Sequence, residues 1–407
     1  MGGAGWPLAY GDAVTSHHRL AAAAVAAALL LTGTACTGDS TGGAQPPTTG
    51  GTPPAGSPAA ATRAAAPTSG VVGAPAGLAA LVSRLYAGQP LPAQTPATVA
   101  AALAGRRPAP VPTGAKAAVG SWRGEQVAVV VAGSDVTLAV GPTWRVVGGW
   151  WPALGVRTPQ LGAGPRWVLA IGSDARPGED PTRTRADTLQ VIGTDGAGGG
   201  GILGLARDLW VPLATGGSGK VNSALVFGGP AAQLRTVRTV TGLPLEGYVL
   251  VGFEGFTAIV DQLGGIPIIV PKAVDASHAR TVIPAGPQTL SGAQALAYAR
   301  ERKTLPDGDF GRSRHQGELL LAAGVKAKLA GPLALPRALT ALGQHASSDM
   351  SAEQILTYAA RLHALNPLEV GRGVAKGSFG WAGGQSIVVL GPEARGLFAD
   401  LRDGRLR

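Results

Sequence analysis

The sequence predicts a layered α/β/α domain around a mixed central sheet, preceded by a small β-rich accessory region. Three observations carry that expectation. The run Trp167-Val168-Leu169-Ala170-Ile171 is apolar at every position, which suits a buried central strand. Residues 188–194, 202–205 and 266–270 read as further strands. Among them, residues 223–240 and 254–263 read as helices, the second stopped by Gly264-Gly265.

Taken in chain order, the first elements concern targeting rather than a core. Arg19 precedes an apolar run over residues 20–31, followed by Thr32-Gly33-Thr34-Ala35 and Cys36, the sole cysteine, so no intrachain disulfide is possible. That arrangement resembles a bacterial lipoprotein signal acylated at Cys36, although Gly33 stands where a larger aliphatic is usual. An uncleaved signal anchor is the alternative, and its run of about 12 apolar residues falls short of the roughly 20 that span a bilayer. Either way, the next basic residue after Arg19 is Arg63, which places the bulk of the chain outside the membrane. The targeting segment is therefore read as 1–36.

Residues 37–75 are almost wholly Gly, Ser, Thr, Pro and Ala and read as a disordered tether averaging roughly 35 Å end to end. The accessory region follows over 76–160, with helices at 78–86 and 97–103. Strands at 126–131 and 136–140 are joined by Ala132-Gly133-Ser134-Asp135, a hairpin signal. Trp144, Trp150 and Trp151 are expected to pack this element onto the main domain, with a membrane or glycan contact as the alternative. The main domain is placed at 161–407, where a helix at 351–362, a strand at 387–390 and a helix at 393–401 complete it.

The net charge of +10 does not point to nucleic acid, because the basic residues are interleaved with acids and glycine rather than massed on one face. An anionic substrate or polymer fits better. Asp174 follows the central strand, Asp187 lies just before another and Arg207 just after a third, and ends of adjacent strands are where an open α/β sheet gathers a site. Farther on, Ser291-Gly292-Ala293-Gln294 reads as a capping box opening a helix that ends near Arg300. An extended backbone beyond it puts Arg300 and Arg302 on one face. Helical spacing then aligns Arg312 with His315 and Gln316 and turns Arg314 away. Guanidinium forks match phosphate oxygens, and carboxylates among them make sense around a hard divalent cation. Pyrophosphate chemistry follows.

The ordered motifs Gly172-Ser173-Asp174-Ala175-Arg176, Arg185-Ala186-Asp187-Thr188, Arg207-Asp208 before Trp210-Val211-Pro212, and Lys220-Val221-Asn222 resemble the LytR-CpsA-Psr family. So do Asp261-Gln262-Leu263-Gly264-Gly265, Tyr298-Ala299-Arg300-Glu301-Arg302 and Asp309-Phe310-Gly311-Arg312, so that the likeness covers roughly 165–330. The resemblance implies a membrane-tethered, extracytoplasmic enzyme that moves a glycopolymer from a polyprenyl pyrophosphate carrier onto peptidoglycan. It implies Asp174 and Asp187 as ligands of Mg2+ or Mn2+, and Arg185, Arg207, Arg300, Arg302, Arg312 and Gln316 as the pyrophosphate clamp. Asp187, Arg207, Arg300 and Arg302 would carry catalysis, with Asp187 or Asp208 orienting or deprotonating the acceptor hydroxyl. It also implies an apolar tunnel for the prenyl chain between sheet and helices, although Phe253, Phe256, Leu263 and Tyr298 read singly as core. His315 stands where the family often has arginine, either touching phosphate or packing helices. Two rival activities stay open, a pyrophosphatase using water in the same site and a non-catalytic binder of lipid-linked sugar.

Overall fold

A computed structural model describes residues 70–407. Arg19, the apolar run, Cys36 and the tether up to residue 69 lie outside the described residues. The first six strands are β1 Val71–Val72, β2 Ala115–Trp122, β3 Glu125–Ala132, β4 Asp135–Val140, β5 Arg145–Trp151 and β6 Val156–Gln160, and they form one sheet in chain order. β1 runs parallel to β2; the rest is an antiparallel meander. β1 falls within the stretch expected as tether: Val71 is buried and pairs with Ala115, because two β-branched residues extend the sheet edge where the Gly/Pro-rich tract ends.

Helices follow as α1 Ala76–Tyr86, α2 Ala97–Ala104, α3 Ser223–Thr241, α4 Phe253–Gln262 and α5 Gly292–Arg300. Then come α6 Asp309–Leu329, α7 Leu335–His345, α8 Ala352–Ala364 and α9 Pro392–Asp400. The accessory sheet is covered on both faces, and its period of two sorts the side chains. Ala128 and Val130 pack with α1 and α2, whereas Val127 and Val129 pack with Leu335, Leu339, Ile355 and Leu356 of α7 and α8. Trp144 and Trp151 belong to the first cluster and only Trp150 borders the second, since adjacent strand residues point to opposite faces. The main tie between the two regions is Trp122, fully buried with its Nε1–H donating to the Met350 carbonyl at 2.9 Å.

The second sheet runs β17 Ala346–Ser348, β12 Gly247–Val251, β7 Arg166–Ser173, β8 Ala186–Thr194, β9 Gly200–Leu205, β18 Val370–Ala375. β12 lies parallel to β7 and β18 to β9, while the remaining pairs are antiparallel, so the sheet is mixed with β7 inside it. One face buries Leu169, Ile171, Leu189, Val191 and Leu203 against α3 and α9. The other face carries α6, which crosses β8, β9 and β18. α3 is interrupted at Gly229 (φ 66°), because the ring of Pro230 excludes helical geometry from the residue before it. Among the described residues, no single helix is long and apolar enough to cross a membrane.

Smaller pairs decorate this frame: β10 Trp210–Pro212 with β11 Ser218–Lys220, β13 Ile266–Val270 with β16 Gly286–Leu290, and β14 Val274–Ala276 with β15 Thr281–Ile283. A last hairpin joins β19 Gly377–Ala382 to β20 Gln385–Leu390. Of the C-terminal strands only the last four residues of β20 were expected, because β17 and β18 are short, rich in Ser or Gly, and owe their extended form to edge pairing with β12 and β9.

Replacing Trp122 with alanine removes both its packing and its bond to Met350, and is expected to cost about 3–5 kcal/mol in urea unfolding. A loss below about 1 kcal/mol would show that the two regions are not held together there.

Candidate active site

The site begins with an irregularity between β7 and β8. Gly172 faces Thr188 but Ser173 faces Ala186, so Asp187 is the extra residue of a β-bulge. A bulge bends the strand and re-aims the inserted side chain. Just beyond, the Asp174 N–H donates to the Arg185 carbonyl at 3.0 Å, and the Arg185 N–H returns a bond to Asp174 Oδ1 at 2.9 Å. Both acids are thereby set at one end of the sheet, Asp187 as the second residue of its strand rather than before it.

Arg207 reaches the same end from β9. Its Nη1 donates to both oxygens of Asp187, at 2.7 and 2.8 Å. Burial works against its charge, yet Asp187, Asp309 and Asp208 outweigh that effect and hold its pKa above the ordinary value. The β10–β11 hairpin then brings the chain back so that the Asn222 N–H donates to the Arg207 carbonyl at 3.3 Å and the Asn222 carbonyl accepts from the Ala186 N–H at 3.2 Å. Asn222 therefore acts through its backbone, clasping the segments that carry Asp187 and Arg207. Lys220 Nζ lies 2.8 Å from Asp208 Oδ1, closing an ion pair beside Arg207.

The first turns of α6 complete the cluster. Arg312 Nη2 stands 2.7 Å from Asp309 Oδ1, and Arg312 Nη1 lies 3.5 Å from Asp187 Oδ2. Asp309 also faces Arg207 Nε at 3.6 Å and Arg302 Nη1 at 4.0 Å, so it orients arginines from both distant segments. Neither Arg207 Nε nor Asp309 Oδ1 is aligned for a hydrogen bond, although both are buried. They are paired by charge alone, in a spot where a bound oxygen would supply better geometry. α6 presses this close because β9 carries Gly204, where a Cβ would stand 2.1 Å from Ser313 Oγ.

Arg300 ends α5 and lies over Phe253, its Cζ 4.4 Å from the ring centroid; Arg176 approaches the same ring at 5.5 Å. Burial and the neighbouring Arg176 depress the pKa of Arg300, against the pull of Asp187 and Asp174. Among the described residues, Arg176, Arg185 and Arg300 have no carboxylate within ion-pair distance. Cations therefore outnumber carboxylates here, and an added anion would relieve the excess. Arg185 is exposed at the rim.

Gln316, expected in the clamp, and His315, read as either touching phosphate or packing helices, both spend their polar groups on packing. The Gln316 amide donates to the Ala299 carbonyl at 3.1 Å and accepts from Gln190 at 3.5 Å, because α6 packs that face onto α5 and β8. Gln316 thus supports the peptide that precedes Arg300. His315 stacks on Tyr298 at 4.0 Å between ring centroids, with Nδ1 3.2 Å from the Tyr298 carbonyl, and burial pushes its pKa down. It packs helices. Glu301, to which the sequence reading assigned no role, points inward between the two arginines: its carboxylate accepts from the Thr304 N–H at 3.0 Å and meets His278 Nδ1 at 3.1 Å. Burial opposes its charge, but the backbone N–H groups of Thr304 and Lys303 together with His278 prevail, and its pKa lies below the usual range.

Phe256 is partly buried against the cluster that holds Tyr298, as core was expected to be, while Phe253 and Leu263 stand outside the buried clusters. With Val249, Val251 and Ile259 they are partly exposed apolar side chains on β12 and at α4, the helix whose Phe253 lies beneath Arg300. Tyr298 is fully buried, as a core residue should be.

The hard oxygens of Asp174 and Asp187 suit a divalent cation. Among the described residues no group of three or more potential ligand side chains comes together. A cation there would take its other ligands from water and phosphate, which is the habit of magnesium.

Glu301→Gln keeps the shape and removes the charge. The sign follows from the depressed pKa: the carboxylate's stabilisation is complete above the unfolded value of about 4.3 and fades as pH falls through the folded one. The variant should therefore be about 1–3 kcal/mol less stable at pH 7. That gap should close in unfolding titrations taken below pH 4; a gap independent of pH would remove the charge from the explanation.

Residues 156–390 match the model of the LytR_cpsA_psr family. Over 205 residues, 49% of this chain and 66% of the relative, the sequence is 31% identical to the polyisoprenyl-teichoic acid–peptidoglycan teichoic acid transferase TagU of Bacillus mycoides. Over 130 residues it is 38% identical to the corresponding transferase TagV of Bacillus subtilis, covering 30% of this chain and 33% of that one. The matches thus span about a third to two thirds of these relatives' lengths. The crystal structure of B. subtilis TagV superposes with a TM-score of 0.52 at 24% identity, over 60% of this chain and 100% of that chain, a likeness of fold. With more than half of its length matched by the family model, the chain belongs to the LytR_cpsA_psr family.

Proposed function

We propose that the protein is an extracytoplasmic phosphotransferase that attaches a glycopolymer, carried on a polyprenyl pyrophosphate, to peptidoglycan. The observation that carries this reading is the convergence of Arg207, Arg300, Arg302 and Arg312 from separate segments around Asp187, beside an apolar and partly open surface. A pyrophosphate diester, with about two negative charges, suits that excess of cations. A prenyl chain suits the half-buried face along β12 and α4. The names of the TagU and TagV relatives, which specify polyisoprenyl-linked teichoic acid and peptidoglycan, support the same class of donor and acceptor.

The reaction is an in-line displacement at the phosphorus that bears the glycan. An acceptor sugar hydroxyl forms the new P–O bond, the bond to the bridging oxygen breaks, and polyprenyl phosphate leaves with the electron pair. Arg207 and Arg312 hold the phosphate oxygens, and Arg300, lacking a carboxylate partner, neutralises charge on the leaving group. In this reading Asp187 takes the hydroxyl proton once the donor draws Arg207 partly away, which the pairing of the alternative, Asp208, with Lys220 supports. Asp174 and Asp187 would hold Mg2+ or Mn2+, which when bound neutralises phosphate charge. The segment before residue 70 supplies the membrane attachment in this reading, through acylation of Cys36 or a signal anchor.

With a lipid-linked donor, magnesium and peptidoglycan, Arg207→Ala and Arg300→Ala should each lower transfer by about 100-fold or more while unfolding curves stay close to wild type. Normal turnover in both would dismiss the clamp. Chelation should abolish transfer, and added Mg2+ or Mn2+ should restore it. Asp187→Asn should demand more metal for half-maximal activity, and activity indifferent to chelator would exclude the cation.

A further inference from the structure

Next to the charged cluster lies a surface that its chemistry does not use. The β19–β20 hairpin turns through Gly383 and Gly384, whose φ angles of 56° and 73° are those of a tight two-residue turn. Its inner strand is buried through Ile387 and Val388, but its outer strand carries Phe379 and Trp381, 76% and 73% exposed. As i and i+2 on one strand, the two rings share a face, about 6.6 Å apart along it. Large aromatic side chains so open on a folded surface mark a place of contact.

The hairpin is continuous with the site. Val388 N–H donates to the Asp208 carbonyl at 2.9 Å, and Phe379 packs at 6.0 Å on Phe310, which follows Asp309 and precedes Arg312 in α6. Trp210, three residues beyond Arg207, comes within 3.3 Å of the position a Cβ would take at Gly383. From Gly377 to Pro392 no side chain carries a formal charge, a single exposed basic residue, Lys376, immediately precedes that stretch, and Ser378, Gln385 and Ser386 are exposed. A hairpin built to enter a membrane surface favours several basic residues beside it for lipid headgroups. Neutral polar groups around flat rings instead suit a pyranose, whose axial C–H bonds pack on an aromatic face while its hydroxyls find hydrogen-bond partners.

We propose that this hairpin docks the acceptor: Phe379 and Trp381 stack neutral amino-sugar rings of a peptidoglycan glycan strand and deliver its hydroxyl to the phosphate held by the arginines. The inference rests on the phosphotransferase reading. The donor has a charged headgroup and a lipid tail to hold it, whereas a neutral glycan needs an aromatic surface, and this one adjoins the cluster.

The test uses the full chain and a soluble β-1,4-linked N-acetylglucosamine tetramer, titrated by tryptophan fluorescence and by calorimetry. The F379S/W381S double variant should bind the tetramer at least ten-fold more weakly, and the F379Y/W381Y variant, which keeps flat rings, should bind within about three-fold of wild type. Acceptor KM should rise in the serine variant while unfolding curves and magnesium dependence stay unchanged. Tetramer binding equal to wild type in the serine variant, or no binding by wild type, overturns the proposal. So does selective loss of cosedimentation with phosphatidylcholine vesicles, which assigns the rings to a membrane. Arg207→Ala separates the two readings: it should bind the tetramer normally and fail in transfer. If it still transfers, the phosphotransferase clamp fails while the glycan platform is judged by its own binding data.

Discussion

The pairing of Arg207 with both oxygens of Asp187 is the contact on which the rest of the site depends. Asp187 comes from β8 and Arg207 from the turn after β9, and neither charge is fully hydrated. A half-buried ion pair contributes little stability by itself, because desolvation offsets its attraction. Its value is positional. It fixes the bulged end of β8 against the end of β9, where the proposed phosphate would lie. Asp309 and Arg312 add a second pair from α6, so three separate segments are tied to one point by charge.

That arrangement leaves a deliberate imbalance. Arg312, with a side chain only 6% exposed, has Asp309 and Asp187 as partners, and Arg207 shares the same acids. Arg300 has an aromatic ring beneath it instead of a carboxylate. A guanidinium stacked on Phe253 is oriented but not neutralised. The structural acids thus prevent the arginines from repelling one another without saturating them, and the proposed pyrophosphate would supply the remaining negative charge.

The scaffold explains why these groups stay in register. β7, β8 and β9 are central to a sheet packed on both faces, while α6 lies close over β9 because Gly204 has no side chain. Glu301 pins the turn after α5, so that Arg300 and Arg302 emerge on either side of a buried carboxylate. Farther away, the accessory sheet braces α7 and α8 through Trp122 and the apolar faces of β3. Packing at a distance therefore limits how far the charged ends can drift.

Much of this was legible in the chain itself. Apolar runs located the central strands, Ser291 and Gln294 announced α5, and alternation of acid and arginine identified the groups that would meet. Local pattern works where a residue's role depends on its own neighbours, as in a cap, a turn or a strand buried on both faces. It could not reveal that Asp187 is a bulge residue, that Gln316 spends its amide on Ala299, or that Phe253 lies under Arg300 rather than in a core. Nor could it foresee β17 and β18, whose short Ser- or Gly-rich sequences are extended only because β12 and β9 offer them hydrogen bonds. The amino-acid order by itself determined which charges and which elements this protein possesses. Tertiary structure decided which side chains share a pocket and which are spent on holding it, because those outcomes depend on the distances between segments far apart in the chain.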